Sequence, residues 1–454
     1  MTELSQLTAI SPIDGRYKAK TDPIREIFSE YGLIKRRVEV EICWLEMLSD
    51  CDDIPEVPEF SDVTKNQLTH IINNFSIEDA QQVKFLEAET NHDVKAVEYF
   101  LKKRLTNVLF PETLEFIHFA CTSEDINNIA YALMLSDAKV VFLDELEKIQ
   151  LVLQRMAKTW SNVAMLARTH GQPASPTTLG KEIRVFERRL ENLIFALDKI
   201  PIFAKINGAT GNYSAHTIAY PDVDWHTLSE KFIHSFGLEW NPYTTQIEPH
   251  DYMAEMFDVI KRTNTIFIDL CRDMWGYISL GYLKQQVVET ETGSSTMPHK
   301  VNPIDFENAE GNFGIGNAIL EYLSRTLPIS RWQRDLTDST LQRNIGVALA
   351  HCLIGYKSLQ NGLDKVIPNH DTMLKDLNDN WEVLGEAIQT VMRKHGIENP
   401  YEKLKQITRN QKMDSLSIQN FIINLDIPNE AKSRLIKLLP STYTGKATDL
   451  ANKK

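Results

Sequence analysis

From Ile126 onward, apolar residues recur at helical spacing for about 30 positions: Ile126, Ile129, Leu133, Val140, Leu143, Leu146, Leu153 and Met156. A helix of that length is uncommon in a compact domain and needs partners along its whole run, which a bundle of long helices supplies. Four further segments have the same character. One spans 178–200 and is ended by Pro201. Another follows Pro249, with Met253, Met256, Phe257, Ile260, Phe267, Leu270, Met274 and Tyr277 as its apolar stripe. Such a Met and aromatic stripe reads as core packing rather than as a cofactor box. The last two span about 303–326 and 338–366. The long helices leave little room for a sheet, so the expected fold class is all-α.

Shorter elements flank this bundle. Residues 1–23 carry turn chemistry, SPIDGRYKAKTDP, and are expected to be irregular. A helix is expected from Pro23 to about Ser49, with Ile27, Tyr31, Ile34, Val38, Ile42 and Leu45 on its inner face. Pro55, Pro58 and Ser61 interrupt before a second helix through Leu68, Ile71 and Ile72. Pro368 marks a boundary, and the shorter, more polar remainder reads as a small helical domain whose basic end, 446–454, is a solvated tail. The expected division is 1–112, 113–366 and 367–454, with the long-helix bundle in the middle.

Charge and cysteine usage exclude several classes. The chain has 454 residues and a net charge of -13, which argues against a nucleic-acid binder, since that needs a basic face. Any site for an anion must therefore be locally basic. The five cysteines show no CxxC or Cys/His cluster, which fits a reducing cytoplasm and no zinc site. No signal-peptide pattern opens the chain, and no uncharged apolar stretch reaches the roughly 20 residues of a membrane helix.

Two polar loops carry the chemistry. Residues 291–308 read ETGSSTMPHKVNPIDFEN, too rich in small and polar groups for a core segment. Gly293 loosens the backbone, Pro298 and Pro303 stiffen it, and helix formers follow Pro303. This is a mobile loop feeding a helix N-terminus, a natural place to hold an anion. The second loop is 168–174, RTHGQPA, with His170 at its centre. A third polar point, Asn91-His92-Asp93, precedes another helix, and Thr122 or Ser123 can cap the longest one, with Glu124 and Asp125 at its positive end. Arg331 and Arg334 beside Trp332 suit a phosphate clamp better than a nucleic-acid patch in so acidic a chain. No Rossmann glycine motif, P-loop, nucleophile elbow or metal spacing is present. Two separate acid/base loops suit removal of a proton at one atom and its delivery at another, without a cofactor.

The stretch 293–303 resembles the signature loop of the fumarase/aspartase superfamily, G-S-S-x-M-P-x-K-x-N-P, at every fixed position. His299 followed by VNPIDFEN is similar to the adenylosuccinate lyase family of the bacterial type, and Thr169 to Pro173 resembles that superfamily's second signature. The resemblance covers nearly the whole chain. It implies a central long-helix bundle in three helical domains and cleavage of a C–N bond by β-elimination. Fumarate would leave adenylosuccinate, giving AMP, or the succinyl-carboxamide ribotide of purine synthesis. By the same resemblance Ser294 is the base and His170 the acid, with Glu307 as the carboxylate partner of that histidine. Lys300 and Asn302, with the loop amides, would stabilise the dianionic intermediate. Arg16 and Tyr17 match a phosphate-binding pair. Asn91, His92, Asp93, His118, Thr122, Ser123, Gln246, Ser295, Asn308, Arg334, Ser339 and Arg343 match substrate-binding positions. The family implies small-molecule nucleotide substrates, no metal or other cofactor, no nucleic acid or membrane partner, and a cytoplasmic homotetramer whose sites are shared between subunits.

Two other readings compete. A sister lyase acting on argininosuccinate, fumarate or aspartate would place another residue at His299. A non-catalytic helical protein on the same fold would not keep Ser294, His170, Lys300 and Glu307 together.

Overall fold

The computed structural model describes residues 5–286, 297, 300–408 and 413–453. The signature-loop residues 287–296 and 298–299, including Ser294, Ser295 and His299, lie outside the described residues, and so does the expectation that this loop closes over substrate.

All five long helices are present: Ser123–Thr159, Leu179–Lys199, Asp251–Ser279, Ile304–Thr326 and Ile345–Lys365. The first has 37 residues, about 55 Å at 1.5 Å per residue. Ile126, Ile129, Leu133, Leu146, Leu153 and Met156 on its stripe are buried as expected. Val140 is not: it is 67% exposed. Among the described residues this is the one helix long and apolar enough to cross a membrane, but 61% of its apolar window is buried inside the protein. The apolar length is used for packing.

Among the described residues the strands form three two-stranded ribbons, in keeping with little room for a sheet. The 168–174 stretch is one of them rather than an interhelical break. Ala164–Thr169 pairs antiparallel with Gln172–Thr178, with Thr169 opposite Gln172. His170 and Gly171 form the two-residue turn at φ 53° and 74°. Positive φ at both positions is what a tight hairpin turn with the strands' own twist requires.

Three expectations are corrected. The helix expected from Pro23 to Ser49 is two helices, Lys18–Phe28 and Glu30–Ser49, which also starts order earlier than expected. They are separated by Ser29, which is extended and caps the second by accepting from the Gly32 N–H at 3.2 Å. Gly32 passes so close to the preceding helix that a Cβ would lie 2.3 Å from the Glu26 carbonyl oxygen. The helix expected over 338–366 is likewise two, Thr337–Gln342 and Ile345–Lys365. The Asn344 N–H bonds back to Leu341 O at 2.9 Å, an i to i−3 bond that tightens and ends the first. Finally, the basic end is no solvated tail. Ala447–Asn452 is a helix with Ala447 and Ala451 buried. Arg184 donates to Ala451 O at 3.1 and 2.9 Å, and Thr448 Oγ1 donates to Ser161 O at 3.2 Å.

The chain gathers into two compact units, each assembled from three stretches. The first comprises 1–145, 193–265 and 311–357; the second comprises 146–192, 266–310 and 358–454. In the first, Trp44 is fully buried against Phe232 at 5.0 Å and Trp225 at 6.4 Å, with its ring N–H donating to Phe119 O at 3.0 Å. An indole buries a large apolar area while its single donor finds a partner. In the second, the C-terminal helices close over their own core, built from Leu384, Ile388, Met392, Ile418, Ile422 and Leu435.

Candidate active site

Within the first unit, the start of the Ser123–Thr159 helix is fixed by one carboxylate. Asp125 accepts from the Thr122 N–H at 2.8 Å, the third-residue half of a capping box. It also meets Lys205 Nζ at 2.8 Å, both side chains fully buried, and the backbone N–H groups of Asn207 at 3.0 Å and Gly208 at 3.1 Å. A buried charge is tolerated only when paired and hydrogen-bonded, and this one is both. The effect is to lock the glycine-rich 207–211 loop to the helix that carries Thr122 and Ser123.

His118 precedes that helix at φ 64°. Its Nδ1 lies 2.6 Å from Glu41, which is fully buried. Burial alone would lower the histidine's pKa, but the Glu41 charge and hydrogen bond outweigh it and the net shift is upward. His92 caps the Asp93–Leu105 helix, Nδ1 accepting from the Lys95 N–H at 3.1 Å. In the neutral ring that leaves Nε2 as the donor. The structural role of His92 is therefore plain, and its other nitrogen stays available. His92, His118, Ser123, Thr90, Lys95 and Glu98 line one cleft.

Asp93 joins two of the other expected residues, Arg343 directly and Ser339 through it. Arg37, itself buried, donates to Asp93 at 2.7 Å, and Arg343 Nη2 lies 3.2 Å away. Burial works to raise the Asp93 pKa, but the arginines and the Val94 N–H bring it below the ordinary carboxylate value. Arg343 in turn donates to Ser339 Oγ at 2.6 Å and to Ser339 O at 3.2 Å. Asn91 ends the preceding helix in the left-handed conformation and is exposed. Arg16 is exposed and Tyr17 half-buried at the start of the Lys18–Phe28 helix.

Gln246 and Arg334 line a second, open cleft. Gln246 Nε2 donates to Ala209 O at 3.0 Å and its backbone N–H to Gln333 O at 3.3 Å. Arg334 is no free clamp: Nη1 lies 2.5 Å from Glu124 and Nη2 3.5 Å from Asp338. Glu124, His250 and Asp338 offer ligand atoms within 4.8 Å of one another, and among the described residues theirs is the cluster that could hold a metal ion. The Arg334 guanidinium already answers that charge.

Within the second unit, His170 is exposed at the hairpin tip. The hairpin is anchored at Arg168, which donates to Asp376 at 2.6 Å; the Tyr282 hydroxyl donates to the same carboxylate. Lys300 is exposed, with its N–H on Met297 O at 2.9 Å. Glu307 stands in the first turn of Ile304–Thr326 and accepts from Trp275 Nε1 at 3.1 Å. Among the described residues no hydrogen bond joins it to His170. Asn308 accepts from Ser358 Oγ at 2.7 Å, and Asn302 is half-buried.

Sequence reasoning missed the buried partners: Glu41, Arg37, Asp125 as a knot rather than a dipole charge, Lys205, and His250. Most of their contacts span tens of positions, so local spacing does not mark them. The one available signal was a charged residue inside an apolar helical run, as with Arg37 and Glu41 in 33–48.

Comparisons with known proteins agree with one another. A family profile described as "Lyase" matches residues 15–315, and one described as "Adenylosuccinate lyase C-terminal" matches 330–444. An adenylosuccinate lyase of Haemophilus influenzae is 55% identical over 453 residues, covering 99% of each chain. One of Vibrio cholerae is 53% identical over 456 residues, covering 99% of this chain and 100% of the relative; one of Escherichia coli is 53% identical over 454, covering 99% of each. Among solved structures, a fumarate lyase from Mesorhizobium superposes with a TM-score of 0.77 at 17% identity, covering 95% and 96% of the two chains. A 3-carboxy-cis,cis-muconate lactonizing enzyme from Pseudomonas putida gives 0.77 at 18%, covering 96% and 97%. At those identities the structural likeness speaks for the fold alone.

Proposed function

The chain belongs to the bacterial adenylosuccinate lyases of the fumarase/aspartase superfamily, and from that premise we propose how its residues divide the work. Its activity is that of a C–N lyase of purine nucleotide biosynthesis, acting on small-molecule nucleotides. The observation that carries this is the identity of more than half the residues along 99% of both chains.

In the reaction a base removes the proton from the carbon beside a carboxylate of the succinyl group. The electron pair spreads onto that carboxylate, the C–N bond breaks, and the nitrogen takes a proton as fumarate leaves. Ser294 is the base and His170 the acid. A serine needs its alkoxide favoured, which Lys300 and the loop amides supply. The same groups and Asn302 stabilise the dianionic intermediate, the largest catalytic contribution in reactions of this kind. Glu307 orients and charges His170. Arg16, Tyr17, Ser339, Arg343 and Arg334 hold phosphate and carboxylates; Asn91, His92, Asp93, His118, Thr122, Ser123, Gln246, Ser295 and Asn308 hold the rest of the substrate.

The working unit is a cytoplasmic homotetramer with sites shared between chains, each chain in three helical domains. Support comes from large apolar side chains left exposed on the long helices of a single chain, among them Val140, Leu151, Phe195 and Ile315. Long helices that leave apolar side chains exposed suit burial against partner chains. A second support is that Glu307 and His170 do not meet within one chain. The test is the loss of adenylosuccinate absorbance with purified protein. Turnover to AMP and fumarate is expected; activity on argininosuccinate or aspartate alone would overturn the reading.

A further inference from the structure

Arg334 is the cation meant for an anionic part of the nucleotide, yet its surroundings blunt it. Its Nη1 lies 2.5 Å from Glu124 Oε2 and its Nη2 3.5 Å from Asp338 Oδ1. The two carboxylates are only 1% and 7% exposed. Behind them stands His250, fully buried, with Nε2 3.9 Å from Asp338 Oδ2 and Nδ1 3.8 Å from Glu248. Glu124 Oε1, Asp338 Oδ2 and both His250 ring nitrogens have no hydrogen-bond partner. Two buried carboxylates therefore face one guanidinium. Of the five N–H groups a guanidinium carries, two point at carboxylates. Arg334 also lines the open cleft that it shares with Gln246 and Thr210.

A purely structural anchor for Arg334 needs only an acceptor, which a neutral amide provides. A charged one in this place is expensive: burial pushes the Glu124 carboxyl up from its ordinary value, against the pull of Arg334. The charge has a consequence for any anion in the cleft. A buried negative charge within a few ångströms of the guanidinium opposes a second anion across it, with little solvent between to screen the effect.

Resting on the reading that the nucleotide phosphate meets Arg334, we propose that Glu124, backed by Asp338, is an affinity-tuning residue: a buried counter-anion that weakens Arg334's hold on the phosphate monoester and lets the product nucleotide leave. Glu124 touches the arginine and not the ligand, so it acts by position and charge. A structural residue and a tuning residue differ in sign. Losing an anchor loosens the phosphate; losing a counter-anion tightens it.

The test is calorimetric titration of the intact protein with adenosine monophosphate and, separately, with adenosine. The dissociation constant for adenosine divided by that for adenosine monophosphate isolates the phosphate's share. In Glu124→Gln that ratio should rise at least about fivefold. Asp338→Asn should raise it less, and decides the matter if Glu124→Gln does not fold. Arg334→Ala should collapse it. If Arg334→Ala collapses the ratio while neither carboxylate variant raises it, the tuning role is wrong and the phosphate assignment stands. If Arg334→Ala leaves the ratio unchanged, or the unaltered protein prefers adenosine, the phosphate assignment fails and takes the tuning role with it.

Discussion

Around the start of the Ser123–Thr159 helix, the candidate side chains are tied to buried partners: His118 to Glu41, Asp93 to Arg37, Arg343 to Asp93 and Ser339, Arg334 to Glu124. At the tip of the 164–178 hairpin and at Lys300 the reverse holds. His170 and Lys300 make no side-chain hydrogen bond among the described residues, and Glu307 holds a tryptophan N–H. On the proposed reading the first region holds the ligand in place, since a positioned charge costs nothing to reorganise when the ligand arrives. On the same reading the second carries the proton-transfer acid, and a group that gives up or takes a proton needs its reacting atom free.

The sharpest way to break that contrast is to remove the reacting groups. Ser294→Ala and His170→Ala should each lower kcat by at least about 10³-fold with assembly intact, as loss of an acid or base does. Steady-state kinetics and sedimentation check both halves of the claim. Near-normal turnover in Ser294→Ala would shift the base to His299 or Ser295.

A smaller effect, on stability rather than chemistry, sharpens the other side. Lys205→Met leaves Asp125 buried and unpaired, and should cost about 3–5 kcal/mol in denaturant unfolding. Hydrogen exchange should show the loss first at 205–208 and at the helix start. An unchanged midpoint would mean that Asp125 does not tie this region down.

The smallest is a pH dependence. His216 is buried against Trp225 and Trp44, and burial lowers its pKa to about 4. The folded state therefore holds the neutral ring, while the unfolded chain takes a proton near 6.5. Stability contributed by this residue is full above about 6.5 and is lost as pH falls from there toward about 4. The loss is on the order of 3 kcal/mol. His216→Phe should flatten that slope in urea titrations at successive pH values; a slope of unaltered size would assign it elsewhere.

How much of this could be read from the residues alone depends on range. Apolar spacing located all five long helices, because period and length are local properties. The breaks at Ser29 and Asn344 escaped, since each depends on a close approach or a short-range bond that apolar spacing passes over. The hairpin escaped because two Pro and a Thr-rich strand read as a loop until the positive φ of His170 and Gly171 is known. The packed C-terminal helix escaped because its anchors, Arg184 and Ser161, are remote in the chain. The two signature loops stand out in the sequence by their polar residues, while the buried carboxylates and cations around the start of the Ser123–Thr159 helix do not.

The central claim is that reacting groups from different chains complete one site. Inactive His170→Ala and inactive Ser294→Ala proteins, mixed in equal amounts and allowed to exchange subunits, test it directly. Random assortment leaves about a quarter of shared sites with both native residues, far above either mutant's residual rate. Recovery of activity toward that level is the predicted result. Exchange demonstrated by mass spectrometry with no return of activity would contradict it.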